Sequence, residues 1–206
     1  MTEAALVLLP LVLAHFAAAA SPGPSFVLIA RTSVARTRAA GIRMSVGLGL
    51  GALFWAAAAL FGLSVLFETV PWTYAVLKVA GAVFLVFIGW TLWRNARAPI
   101  MLETPGVQSQ PGWRDLCQGF LVQIANPKVS IFFGSVFVTL IPPDAPLSLL
   151  LCLLALIFMV ETLWYILVST LFSVPQICRR YTRAKSWIDR ATGGFLGLLG
   201  MRLAAS

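Results

Sequence analysis

Hydrophobic residues fill six stretches of the chain, near residues 4–29, 44–67, 72–93, 116–140, 147–172 and 191–205. Charged, Pro-rich or Gly-rich segments separate them. The first five are long enough to cross a hydrocarbon layer about 30 Å thick as helices of about 20 residues. The sixth is Gly-rich and short for a span. Inside a bilayer every backbone polar group needs a partner within the protein, which rules out open sheets. The pattern predicts an all-α membrane protein with six transmembrane helices.

Two of the stretches are interrupted. The first contains Ser21-Pro22-Gly23-Pro24 and the fourth contains Asn126-Pro127-Lys128. Proline has no amide proton and disfavours helical backbone in the residue before it, and Gly23 adds backbone freedom. Each helix should break or kink there. Irregular backbone at membrane depth is tolerated only where protein buries it or where it lines a wet cavity. Two broken helices at matching positions in two halves are the sequence signature of a transporter's binding site.

The spacing of the breaks divides the chain. Pro22 and Pro127 are 105 residues apart, and the Leu85/Gly89 and Leu196/Gly200 pairs are offset by 111. Each half reads as a broken helix, an intact helix and a third helix. The organisation predicts one transmembrane domain over residues 1–206. Its first repeat is 1–93, its linker 94–115 and its second repeat 116–206. Three helices per half is an odd number, so the halves cross in opposite senses. That is a 3+3 inverted repeat with both termini outside.

Composition agrees with a membrane class. Sixty per cent of residues are hydrophobic and 11% charged, with a mean hydropathy of +0.92, less polar surface than a soluble domain of this size needs. A net charge of +8 raises the question of nucleic acid. The placement of that charge answers it: twelve of fifteen Lys and Arg residues fall in 31–43, 94–114 and 179–190, and the alternate connections carry none. This is the positive-inside pattern, not a nucleic-acid footprint. It places the loops 31–43, 94–115 and 173–190 in the cytoplasm. Cys117, Cys152 and Cys178 form no C-x-x-C motif and read as apolar filler. Residues 4–20 lack a basic leader, and the positive charge follows them, so they read as a retained first helix and not a cleaved signal.

Candidate chemistry gathers at the breaks. A transporter for a zwitterion needs amide protons for a carboxylate, acceptors for an ammonium, and a titratable group for coupling. The half-helices starting after Pro24 and Pro127 are expected to expose free amides and a positive dipole end. Substrate-binding candidates are therefore Ser21, Pro22, Gly23, Pro24, Ser25, Asn126, Pro127 and Lys128. Lys128 lies roughly 18 Å along its helix from Leu116 at 1.5 Å per residue. An unpartnered charge at that depth costs at least ~2.5 kcal/mol. Glu161 is the one acidic residue deep in a span. Glu161 and Lys128 are the proton-coupling candidates, and the competing reading is a permanent Lys128–Glu161 ion pair joining two helices. His15 reads first as a packing or hydrogen-bonding residue, with proton carriage as the alternative.

Gly47, Gly51, Lys78, Gly81 and Gly89 are packing or gating candidates. Gly47-x-x-x-Gly51 lets helices approach closely, and the thin face also offers room for a substrate beside the kinked first helix. Lys78 reads as a snorkelling side chain. The Gly faces fit internal packing or a homodimer equally. No cofactor is called for. One deep carboxylate without a His/Asp/Glu cluster gives no divalent-metal site.

The residues resemble the L-lysine exporter (LysE/RhtB) family of bacterial amino-acid efflux proteins. The matching pieces are Ser21-Pro-Gly-Pro24, the glycines of helix two, Leu77-Lys78-x-x-Gly81 with Leu85 and Gly89, Asn126-Pro127-Lys128 followed by Phe132-Phe133, and the acid in helix five. They stand in the family's order over nearly the whole chain. The resemblance implies six helices in an inverted repeat, a bacterial inner-membrane location, and export of amino acids or close analogues against protons. Glu161 stands where family members often carry aspartate. Related superfamily members move electrons through a cysteine pair beside the same prolines; this chain has Ser21 and no nearby Cys. The reading is thus a secondary active amino-acid exporter, not an enzyme. Its partners are a small-molecule substrate, weakly favoured as a neutral amino acid, protons and the lipid bilayer. The alternatives are a metal-ion or other small-solute efflux protein or channel, and a non-transporting scaffold.

Overall fold

The protein was analysed as a computed structural model, which describes residues 2–69, 72–98, 111–137, 141 and 145–205. Those residues form eight α-helices and one π-helical stretch, and no strand. The helices are α1 (Thr2–Ala20), α2 (Pro24–Ala35), α3 (Arg38–Thr69), α4 (Trp72–Arg94), α5 (Gly112–Ile124), α6 (Pro127–Ile131), α7 (Leu147–Phe172) and α8 (Pro175–Ala205). The π-helix, Phe132–Phe137, follows α6. By length and apolarity, Arg38–Gly62 and Leu147–Phe172 can cross a membrane, and a third span results if Leu8–Ala20 and Pro24–Ala35 are one bent helix. The loop around Pro142 and Pro143, expected on the outer side, and most of the 94–115 linker lie outside the described residues.

The first long helix breaks at its Ser-Pro-Gly-Pro tetrapeptide. The last bond of α1 runs from Ser21 N to Ala17 O, and the first of α2 from Val27 N to Gly23 O. Gly23 is extended, and Pro24 occupies the first turn of α2, where a missing amide proton is harmless. The two halves meet at 54°. The second break is equally local. Asn126 is extended and caps α6, its side chain accepting from Lys128 N at 3.1 Å.

Four boundaries differ from the sequence expectation. Helix one continues through Arg31 to Ala35, and α3 starts at Arg38, so the 31–43 loop shrinks to Arg36 and Thr37. Helix four begins at Gly112, four residues before the apolar run, with Asp115 in its first turn, where an acid suits the helix dipole. Its second half is a short α-turn followed by a π-helix, not a long α-helix. Residues 173–190 are mostly helix: α8 runs unbroken for 31 residues, about 46 Å at 1.5 Å per residue. Its polar first half reads as a loop only because charged residues crowd it.

α7 fits its expected limits. Leu153, Ile157, Glu161, Tyr165, Val168 or Ser169, and Phe172 are buried at helical spacing, so one stripe faces the protein. α3 lies between α5 and α7, and α4 runs along α8. Small residues make these approaches close. A methyl group on Gly51 would lie 2.6 Å from Gln123 Cβ of α5, and Gly47 abuts the Leu116 carbonyl. A methyl on Gly89 would lie 2.5 Å from the Gly193 carbonyl oxygen of α8. The thin face of α3 is thus filled by α5 and leaves no room there for a substrate. Cys117 and Cys152 sit exposed on α5 and α7.

Charged groups tie the helix ends. Asp115, fully buried, accepts from Arg36 Nη1 at 2.7 Å and from Arg43 Nε and Nη2 at 3.0 and 2.7 Å. Lys185 of α8 donates to the Asn95 and Ala96 carbonyls beyond α4 at 3.2 and 3.4 Å, and to Asp189 at 2.6 Å. It satisfies carbonyls that a helix C-terminus leaves unpaired.

Candidate functional site

The two breaks face each other across one pocket. It holds about 360 Å³ of empty space, part of it open to solvent, and is lined by α1, α2, α5, α6, α7 and the start of the π-helix. Asn126 Nδ2 donates to Ser25 Oγ at 3.1 Å, so the second break touches the first turn after the first break. Ser25 Oγ donates in turn to Gln123 Oε1 at 2.6 Å, and Gln123 Nε2 donates to Glu161 Oε1. These bonds run in one direction, from Asn126 through Ser25 and Gln123, and end on a buried carboxylate.

Lys128 turns back across the pocket. Its Nζ donates to the Ser21 carbonyl at 3.2 Å and to Ser21 Oγ. That carbonyl is freed by the extended backbone at Gly23 and the 54° bend, which carry the next turn out of its reach. Tyr165 Oη donates to Ala19 O at 3.3 Å, and Ser21 Oγ reaches Ala18 O at 2.9 Å. Side chains therefore take up several carbonyls that the break releases.

The amides behave differently from expectation at the second break. Lys128 N is capped by Asn126 Oδ1, while Val129 N and Ser130 N bond Asn126 O at 3.0 and 3.2 Å. The half-helix after Pro127 therefore offers no free amide from these three residues. The cation there is the Lys128 ammonium.

Glu161 has its second oxygen, Oε2, 3.1 Å from His15 Nε2. The two side chains are 3% and 4% exposed. The approach is within ion-pair distance but out of hydrogen-bond alignment, and neither atom has another hydrogen-bond partner. The His15 ring packs on Phe132 and Phe133, with centroids 5.9 and 5.6 Å away. Lys128 and Glu161 line one pocket without pairing to each other, so the permanent Lys128–Glu161 ion pair is replaced by two separate charged ends.

Of the sequence candidates, Ser21, Gly23, Ser25, Asn126, Lys128 and Glu161 line the pocket. Pro22, Pro24 and Pro127 shape its walls as helix breakers. Gly47, Gly51, Gly81, Gly89 and Lys78 lie elsewhere: the first two at the α3–α5 contact, the others on α4. Sequence reasoning passed over Gln123 and Tyr165. Tyr165 stands four residues after Glu161, one turn along α7, and Gln123 stands in the last turn of α5, three residues before the Asn126 cap.

An aromatic cluster joins α2, α7 and α8. Phe26 and Phe172 are buried and meet edge to face at 5.5 Å, and Tyr181 of α8 stacks on Phe26 at 5.3 Å.

A family model described as LysE type translocator matches residues 16–206. The chain belongs to the LysE family. Its similarity to the threonine efflux protein of Escherichia coli (strain K12) is 31% identity over 200 residues, covering 96% of this chain and 97% of that protein. A leucine efflux protein of Enterobacter sp. (strain 638) is 24% identical over 185 residues, 89% of this chain and 86% of its own. An uncharacterized membrane protein of E. coli K12, YahN, is 27% identical over 183 residues, 89% and 82% of the two chains. No solved structure matches. Members of the LysE family are translocators, and the helical membrane character described above agrees with that.

Proposed function

We propose that this LysE-family protein exports a neutral amino acid across the bacterial inner membrane in exchange for protons, by alternating access around its two proline breaks. The observation that carries the reading is the pocket itself. A lysine ammonium and a carboxylate stand in one pocket, unpaired with each other, Lys128 held by Ser21 of the first break and Glu161 by Gln123 of α5. That arrangement fits a zwitterion: the substrate carboxylate on Lys128, its ammonium on Glu161. Relatives named for threonine and leucine efflux support a neutral substrate.

Helix pairing supports the 3+3 inverted repeat. Take α1 with α2 as helix one, α3 as two, α4 as three, α5 with α6 as four, α7 as five and α8 as six. The main contacts are then one with five, two with four, two with five, and three with six. Exchanging the two halves maps this set onto itself. Alternating access follows if one half rocks against the other around a fixed site.

The test uses inverted membrane vesicles from cells producing the protein, acidified inside, and labelled L-threonine, L-leucine and L-lysine. Uptake of threonine or leucine that collapses with the pH gradient is expected. Glu161→Gln should abolish the gradient-driven component. Normal gradient-driven uptake by Glu161→Gln, with unchanged pH dependence, refutes the coupling assignment.

A further inference from the structure

The hydrogen-bond chain that ends on Glu161 occupies one carboxylate oxygen and leaves the other. That oxygen, Oε2, faces His15 Nε2 at 3.1 Å. Both atoms are buried and without another hydrogen-bond partner, a condition that is rare for buried polar groups and calls for an explanation. At this separation the difference between one proton and none is large. With the pair deprotonated, His15 is neutral and the misaligned contact with the carboxylate is weak. With one proton more, imidazolium and carboxylate attract as opposite charges, and a small ring rotation makes a charge-assisted hydrogen bond. Histidine is the side chain whose ordinary range lets that proton come and go near neutral pH.

We propose that His15 forms a single proton-binding pair with Glu161, and that this proton and a substrate ammonium are alternative occupants of Glu161 Oε2. The proposal rests on the antiport reading and names the second group it needs. His15 belongs to α1, ahead of the first break, whereas Glu161 belongs to α7. The pair therefore spans the two halves, and its protonation changes how strongly α1 holds α7.

The other titratable groups lining the pocket are Lys128 on α6 and Tyr165 on α7. From α8, Asp189 acts through space on Lys128 and Tyr181 on Tyr165. α2 and α5 contribute only the neutral Ser25 and Gln123, and the π-helix only phenylalanines.

The charges balance. With Lys128 charged, the deprotonated pair leaves the pocket neutral. One proton taken from outside makes it positive by one. When the zwitterion arrives from the cytoplasm, its ammonium takes Glu161 Oε2, the N–H or O–H bond of the pair breaks, and the proton leaves to cytoplasmic water. Each cycle then moves one zwitterion out and one positive charge in.

The experiment is equilibrium binding of L-threonine, as the probe, to purified full-length protein in detergent between about pH 5.5 and 8.5. Proton release is read in parallel with an indicator dye in weak buffer. The wild-type protein is expected to release about one proton per threonine bound, with Kd weakening up to about tenfold per pH unit on the acid side. His15→Gln and His15→Asn are expected to lose that slope and to release at least about fivefold fewer protons at saturation, whatever their Kd. A histidine that only packs would change Kd by one factor at every pH. Variants with the wild-type slope and release overturn the proposal. So does wild-type protein that binds threonine without releasing a proton, a result that needs no variant to fold. Failure of the exporter reading looks different: no tested amino acid stabilises the wild-type protein, and both readings go.

Discussion

Removing Asp115 separates two arginines that look alike in sequence. Asp115 has no exposed surface, and it holds Arg36, whose side chain is 6% exposed, and Arg43, 42% exposed. Geometry alone favours Arg43, which makes two bonds to Oδ2 against the one Arg36 bond to Oδ1. Burial favours Arg36. Once Asp115 is gone, Arg43 regains water, whereas Arg36 stays enclosed with an uncompensated charge. Breaking a buried ion pair from one side costs about 3–5 kcal/mol. A half-exposed pair is worth about 0–1 kcal/mol after solvent screening. Asp115→Ala is therefore expected to lose about 3–5 kcal/mol, nearly all of it through Arg36. The assay is reversible SDS unfolding in mixed micelles on a double-mutant cycle of Asp115→Ala with Arg36→Ala and with Arg43→Ala. The coupling should exceed about 2 kcal/mol for Arg36 and stay below about 1 for Arg43. Equal couplings, or a larger one for Arg43, would show that bond number outweighs burial here and refute the reasoning.

The glycines make a graded set for thermal melting. Gly89→Ala, whose methyl would sit 2.5 Å from the Gly193 carbonyl oxygen, is expected to lose about 1–3 kcal/mol or more, while Gly62→Ala, with nothing within 4 Å, should gain up to about 1 kcal/mol. Equal effects at both positions would contradict the close α4–α8 approach. Asn126→Ala should lose about 1 kcal/mol from the α6 cap, with a further loss from the missing Asn126–Ser25 hydrogen bond. Asn126→Asp, which can still accept from Lys128 N, should keep the cap term, so a loss equal to that of the alanine variant would argue against capping as the cause.

The helix breaks were legible because proline and glycine act on the backbone directly, whatever surrounds them. The limits of α7 were legible because Leu147–Phe172 is mostly apolar, with Glu161 its one charge, and is flanked by Pro146 and by Ser173. The continuity of α8 was not. Arg179, Arg180, Arg183 and Lys185 make its first half look like a solvated connection, and only tertiary contacts, Tyr181 on Phe26 and Lys185 on the α4 terminus, show it held as helix. The charged pocket residues stood out because charge in an apolar span is rare. Gln123 and Tyr165 did not, since neutral polar groups are common in helices and their role depends on what they face. Which charge meets which was also hidden. Lys128 and Glu161 suggest a pair on electrostatics alone, but the bend at residues 21–24 puts a freed carbonyl nearer to the lysine.

That carbonyl explains why a broken helix suits a transporter. An unbroken α1–α2 helix would consume the oxygens of Ala18, Ala19 and Ser21 in its own ladder. The break releases them, and Ser21 Oγ, Tyr165 and Lys128 collect them without substrate present. Under the proposed function, a substrate carboxylate therefore competes with Ser21 for the Lys128 ammonium instead of meeting a free charge. The exchange trades one set of charge-assisted hydrogen bonds for another, so net affinity stays modest while the lysine is never left bare in the membrane. A deeper well on either side would trap the cargo, and an unsatisfied lysine would destabilise the empty protein. Ser21, supplying both its hydroxyl and its carbonyl, sets that balance.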